Sequence, residues 1–150
     1  MRRRRAPGYI AGMSMAATYM EFLEDEGMQP TLDSSGAVIF ESRGRFYYLI
    51  VDDDDPQYFR LLYPNFWSLD GSADRQRALL AAAEVTAGIK VAKVYVLGED
   101  AQAAAEMFLA DPRDLHQVFA RTLRALQGAV RRFSELMQDR PRLRLVHSEP

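Results

Sequence analysis

Ala37-Val38-Ile39-Phe40-Glu41, Arg45-Phe46-Tyr47-Tyr48-Leu49-Ile50-Val51 and Gln57-Tyr58-Phe59-Arg60-Leu61-Leu62-Tyr63 are three short runs of β-branched and aromatic residues set close together in the chain. Such residues are enriched in strands because their side chains fit a pleated, half-buried surface. Arg43-Gly44, between the first two runs, is a connection of hairpin length in which glycine supplies a positive φ. Asp52 to Asp55 and Pro56 part the second run from the third, because adjacent carboxylates repel one another and proline lacks the N–H that a ladder needs. The reading is a three-strand antiparallel meander, with Pro64-Asn65-Phe66-Trp67 as its aromatic exit loop.

Helices are expected on both sides of this meander. Ser14 is an N-cap ahead of Met15, Tyr19, Phe22 and Leu23 at helical spacing, and Gly27 stands where a C′ glycine is wanted. Met28 to Leu32 reads as a brief strand before the polar turn Asp33-Ser34-Ser35-Gly36. Asp70-Gly71-Ser72 is a turn ending in an N-cap. An alanine-rich helix follows from Ala73 to Ala87, with Leu79, Leu80 and Ala83 on one side and Gly88 just past its end.

Ile89 to Leu97 is β-branched and reads as a strand. Ala101 to Ala110 favours helix by propensity. The turn Gly98-Glu99-Asp100 before it and Asp111-Pro112 after it leave little room, however, and a hairpin gives the preceding strand a partner, so it is assigned as a strand. Asp111 as N-cap with Pro112 at the first helical position opens the last helix. Its apolar stripe runs through Leu115, Val118, Phe119, Thr122, Leu123, Leu126, Val130, Phe133 and Met137 to Gln138, a length of roughly 40 Å.

The expected fold class is therefore α+β: an antiparallel sheet, made of a three-strand meander plus a hairpin, flanked by helices. A chain of 150 residues suits one domain, expected over 14–138, with a flexible basic leader over 1–13 and a loose tail over 139–150. Hydrophobic content of 48% with 27% charged residues excludes wholesale disorder. The absence of cysteine excludes disulfides, thiolate metal sites and cysteine nucleophiles, and fits a reducing cytoplasm. Arg2 to Arg5 are followed by a stretch too short and polar for a secretory signal, and no segment reaches the roughly 20 apolar residues of a membrane span. The expected location is cytoplasmic, with no membrane partner.

The order helix, meander, helix, hairpin and long C-terminal helix resembles the bacterial YbjN-type domain. The resemblance lies in Phe22-Leu23 before Gly27, Gly36 with Val38 and Phe40, Phe46-Tyr47 through Val51, Tyr58-Phe59, Lys93-Val94-Tyr95-Val96 and Phe133, and it covers roughly Ser14 to Met137. That family shares the fold of type III secretion chaperones and is described as a sensory transduction regulator. One departure is the helix from Ala73, which lacks the asparagines that family members often carry near its end. The resemblance implies a non-enzymatic domain, paired into a homodimer, that binds protein segments or takes part in regulation.

No residue set points to catalysis, a cofactor or a metal. Asp52 to Asp55 are adjacent, whereas a calcium loop spaces its ligands and includes a glycine for its sharp turn. His116 and His147 have no nucleophile at a fitting position, and no glycine-rich run is followed by a phosphate-binding Lys-Ser/Thr. The meander is more informative, because alternation places Phe46, Tyr48 and Ile50 on one face and Tyr47, Leu49 and Val51 on the other, and both faces are apolar. One face covers the helices; the second is either covered too or is an interaction patch for a second copy or a protein client. The expected contact residues are Phe46, Tyr48, Tyr58, Arg60 and Trp67. Nucleic acid is disfavoured on this face, where Arg43, Arg45 and Arg60 stand against Asp52 to Asp55. The rival reading is a ligand-sensing or nucleic-acid-binding regulator that uses Arg2 to Arg5 and the arginines between Arg113 and Arg132.

Overall fold

Arg43 and Gly44 both take positive φ, 53° and 75°, the backbone of a two-residue hairpin turn whose twist matches that of the strands it joins. This turn locks β2 (Val38–Ser42) to β3 (Arg45–Leu49), with Ser42 opposite Arg45 and Ile39 opposite Tyr48. In the computed structural model, which describes residues 14–139, ten elements follow in the order α1 (Met15–Asp25), β1 (Thr31–Leu32), β2, β3, β4 (Tyr58–Ser68), α2 (Gly71–Gly88), β5 (Ala92–Leu97), β6 (Asp100–Phe108), a 3-10 turn (Pro112–Asp114) and α3 (Leu115–Gln138). The expected leader with Arg2 to Arg5, and the tail beyond Asp139 with His147, lie outside the described residues.

The six strands form one sheet in the order β1-β2-β3-β4-β6-β5, and every neighbouring pair is antiparallel. The meander and the hairpin are thus joined through β4 and β6, which pair from Tyr58 opposite Phe108 to Ser68 opposite Asp100. The Ala101 to Ala110 stretch is a strand, as read from its flanking turns. Ala101, Ala103, Ala104 and Ala105 within it are completely buried. At the β5 edge, the Thr86 hydroxyl accepts from the Val94 N–H at 2.9 Å and donates to the Val94 carbonyl at 3.2 Å. That bond pair occupies outward-pointing backbone groups that would otherwise recruit another strand.

Four sequence expectations change. Pro64 to Trp67 are not an exit loop, since β4 continues through them to Ser68. A bulge between Tyr63 and Trp67 absorbs the extra residues, with Asn65 at φ 46°, and an irregular position is where a residue without an N–H is tolerated. The helix expected from Ala73 starts at Gly71 and includes Gly88, and the following strand starts at Ala92, not Ile89. The side of α2 that packs is also different: Ala78, Ala81, Ala82 and Val85 are buried, whereas Leu79, Leu80 and Ala83 are exposed. The buried set is small, and a small-residue face lets a helix lie close on its neighbours, here β5 and α3.

α1 begins as expected, with Ser14 Oγ accepting from the Ala17 N–H, and it ends where Gly27 takes φ 81° while Met28 donates back to the Leu23 carbonyl. Asp111 accepts from the Arg113 N–H and caps the 3-10 turn that leads into α3. Over its 24 residues, roughly 36 Å, α3 buries Leu115, Phe119, Thr122, Leu123, Leu126, Ala129, Val130, Phe133 and Met137. These meet Phe40, Tyr47, Leu49, Phe59 and Leu61 from the sheet and Tyr19 and Leu23 from α1 in one core. Each such large apolar side chain contributes roughly 1.5–3 kcal/mol by leaving water. Among the described residues no helix is long and apolar enough to cross a membrane.

Candidate interaction surface

Alternation along β3 sends Tyr47 and Leu49 into the core and turns Phe46 and Tyr48 the other way. The same parity rule applied through the observed register builds the second face of the sheet. Ile39, Tyr48, Leu62, Ala104 and Lys93 form one row across β2, β3, β4, β6 and β5. Arg60 lies opposite Glu106, Tyr95 lies opposite Gln102, and the Tyr58 and Phe108 rings stand 6.1 Å apart. The core contains none of these side chains, and all three helices pack on the other face. Among the described residues no helix covers this one.

Large apolar groups consequently meet water here, with Phe46 58% and Phe108 78% exposed and Leu97 also exposed at the β5 end. A set of linked polar groups crosses the middle. Arg60 Nη2 donates to the Tyr95 hydroxyl at 3.0 Å, Tyr95 donates to Gln102 Oε1 at 3.3 Å, and Gln102 Nε2 donates to Asn65 Oδ1 at 3.1 Å. Glu106 Oε1 sits 3.2 Å from Arg60 Nε and 3.0 Å from Lys93 Nζ. The buried Arg60 Nε makes an ion pair there but is not aimed for a hydrogen bond. Burial pushes the Tyr58 hydroxyl pKa up, the Glu106 charge pushes it further, and Arg60 partly opposes both. Both cations of this strip share one carboxylate, which leaves the trio with a single net positive charge.

Four of the five expected contact residues, Phe46, Tyr48, Tyr58 and Arg60, come together on this face. Trp67 does not join them. The β4 bulge inserts two residues and so preserves the parity: Trp67 stands opposite the core-facing Ala101, on the side of Tyr63, and with Phe66 it packs edge-on against Phe133 of α3, with centroids 6.0 and 5.3 Å away. No protein-family model and no curated protein matches this chain.

Sequence reading missed Tyr95, Gln102, Glu106 and Phe108. A signal was present, since within Asp100–Phe108 the residues Gln102, Glu106 and Phe108 share one parity and Ala101, Ala103 and Ala105 the other. The eye-catching charges elsewhere have local uses. Asp52 Oδ1 accepts from the Asp54 and Asp55 N–H groups, and Asp53 Oδ1 accepts from the Met15 N–H at 2.8 Å, tying this loop to the start of α1. His116 Nδ1 donates to the Arg113 carbonyl within its own turn. A face of this kind can bury apolar area against a partner and fix its orientation through the central polar strip.

Proposed function

We propose that the chain is a protein-binding module that acts through the uncovered sheet face, pairing into a homodimer and engaging a partner protein segment in a chaperone-like or regulatory role. The observation that carries this reading is the apolar ground of Ile39, Phe46, Tyr48 and Leu62 on one side of the polar strip and Tyr58 and Phe108 on the other, with no helix over it among the described residues. Contiguous exposed apolar area rimmed by polar groups marks interaction sites in soluble domains. The β5 edge supports association through the face, because Thr86 already occupies Val94's outward backbone groups. A protein suits the face better than a nucleic acid, since Arg60 and Lys93 both pair with Glu106, which offsets half of their charge, whereas phosphate contacts draw on several unpaired cations. The YbjN-type resemblance points the same way, toward a non-enzymatic domain of the type III secretion chaperone class.

The test uses the wild-type chain and a Phe46→Ser/Phe108→Ser variant as parallel baits under native conditions. Proteins retained by the wild type and lost by the variant support the reading. Identical retention by both, or retention of nucleic acid that disappears as salt rises, overturns it.

A further inference from the structure

A second concave site lies on the helix side of the sheet, away from the proposed binding face. It opens between the β2–β3 turn and the C-terminal half of α3, with a volume of about 360 Å³, within the range of about 300–1,000 Å³ typical of small-molecule pockets. Arg45 shares the parity of Tyr47 and so points toward α3, while Arg43 projects from the turn. From the helix, Gln127, Arg131 and Ser134 line the opposite wall on successive turns.

Three guanidinium groups from two separate elements thus share one hollow. Among the described residues, Arg60, Arg77, Arg113 and Arg132 each pair with a carboxylate, but Arg43, Arg45 and Arg131 do not. Glu135 is the one carboxylate on the lining, and it lies 3.6 Å from Arg132. The end of α3 offers only the negative pole of its dipole, so the attraction for an anion comes from the side chains alone. The backbone adds a second observation: Arg43 sits at φ 53°, where glycine, asparagine or aspartate is preferred, so the turn holds an arginine against its local preference. The floor is prearranged, since Tyr47 is buried with its ring stacked on Phe40, and Gln127 Nε2 donates to Ser42 Oγ at 3.4 Å.

We propose that this cleft binds a phosphorylated small molecule, with its phosphate held by Arg43, Arg45 and Arg131. Guanidinium forks match phosphate oxygens in pairs. A phosphate monoester carries about −1.5 to −2 at neutral pH, which balances three arginines beside Glu135 better than a single carboxylate would. Tyr47 and Gln127 border the remaining volume for the rest of the ligand.

The experiment is calorimetric titration of the full chain with inorganic phosphate, pyrophosphate and AMP at constant ionic strength, repeated on Arg45→Gln, Arg131→Gln and the control Arg124→Gln. All three side chains stand on the surface, and circular dichroism melting verifies that each variant folds. The expected result is saturable binding, tighter for AMP or pyrophosphate than for phosphate, weakened about tenfold or more by Arg45→Gln and by Arg131→Gln and unchanged by Arg124→Gln. Absence of saturable binding overturns the proposal, as does equal weakening in all three variants, the mark of diffuse charge. A phosphoserine peptide that binds more tightly than AMP reassigns the cleft to a protein ligand and overturns the small-molecule assignment.

Discussion

Arg60 Nη2 on β4 donates to the Tyr95 hydroxyl on β5 at 3.0 Å, spanning β6, the strand that separates them. The diagonal between the two passes above Ala104, which lies opposite Leu62 on one side and Lys93 on the other and is completely buried although no helix lies over it. An alanine leaves room for the arginine to cross. The polar strip is therefore built from three strands at once, and it divides the apolar ground near Tyr58 and Phe108 from Leu97 at the other end of the hairpin.

Within this strip Glu106 serves two cations, whereas each cation serves one carboxylate. Glu106→Gln leaves Arg60 and Lys93 side by side with no counter-charge, while Arg60→Gln or Lys93→Gln still leaves Glu106 one partner. In urea unfolding, Glu106→Gln is expected to cost more than either other change, on the order of 1 kcal/mol because the groups are partly exposed. Equal losses in the three variants would contradict the hub arrangement.

Val91 carries a β-branched side chain at φ 57° just before β5, and it is 53% exposed, so little burial offsets its backbone strain. Val91→Gly removes the clash at the expense of a more flexible unfolded chain, and the balance is a gain of about 1 kcal/mol. Denaturant unfolding with an unchanged m-value checks it; a loss of stability would show that Val91 is held by packing that its exposure does not reveal.

Asp111 anchors the entry to α3, and the hydrogen bonds from the Arg113 side chain and N–H hold its carboxyl well below the ordinary value of 3.8, at about 2. A pKa lowered on folding means that the contribution is complete above the unfolded value and fades as pH falls from about 4 to about 2. Asp111→Ala is expected to cost about 1 kcal/mol at neutral pH, as for other lost caps. The difference in melting temperature between wild type and variant should shrink as pH drops below about 4. A difference that stays constant down to pH 2 would assign the loss to something other than the carboxylate.

The two sheet faces are expected to answer mutation in opposite ways. Phe133 is fully buried beneath Phe66 and Trp67, so Phe133→Ala should cost roughly 3–5 kcal/mol. Phe108 projects into water, and Phe108→Ser should change monomer stability by no more than about 0.5 kcal/mol. Comparable losses at the two sites would mean that Phe108 is covered within the monomer.

Much of this architecture was legible in residue order. The cap at Ser14, the turn at Arg43-Gly44 and the period-2 runs act locally and sit where they were read, whereas Asp111 caps a 3-10 turn and α3 itself starts only at Leu115. What was hidden depends on contacts between distant segments. Trp67 has the parity of Phe59, Leu61 and Tyr63, which the two-residue bulge preserves, so it faces Phe133 rather than Arg60; with Pro64 to Trp67 taken as a loop, that alternation could not be applied to it. On α2 the leucines drew the reading by hydrophobicity, but Ala78, Ala81, Ala82 and Val85 recur at helical spacing and fit the close approach to β5. The cleft of Arg43, Arg45 and Arg131 joins positions more than eighty residues apart, which only the packing of α3 against the first hairpin brings together.

Light scattering across a concentration series shows whether the uncovered sheet face pairs two chains, using the wild-type chain beside Phe46→Ser/Phe108→Ser. Pairing through this face raises the wild-type mass from 17.1 kDa toward twice that value with concentration, while the variant stays at 17.1 kDa and remains folded. A wild-type mass that stays at 17.1 kDa at every concentration, or a variant that pairs as well as the wild type, would contradict it.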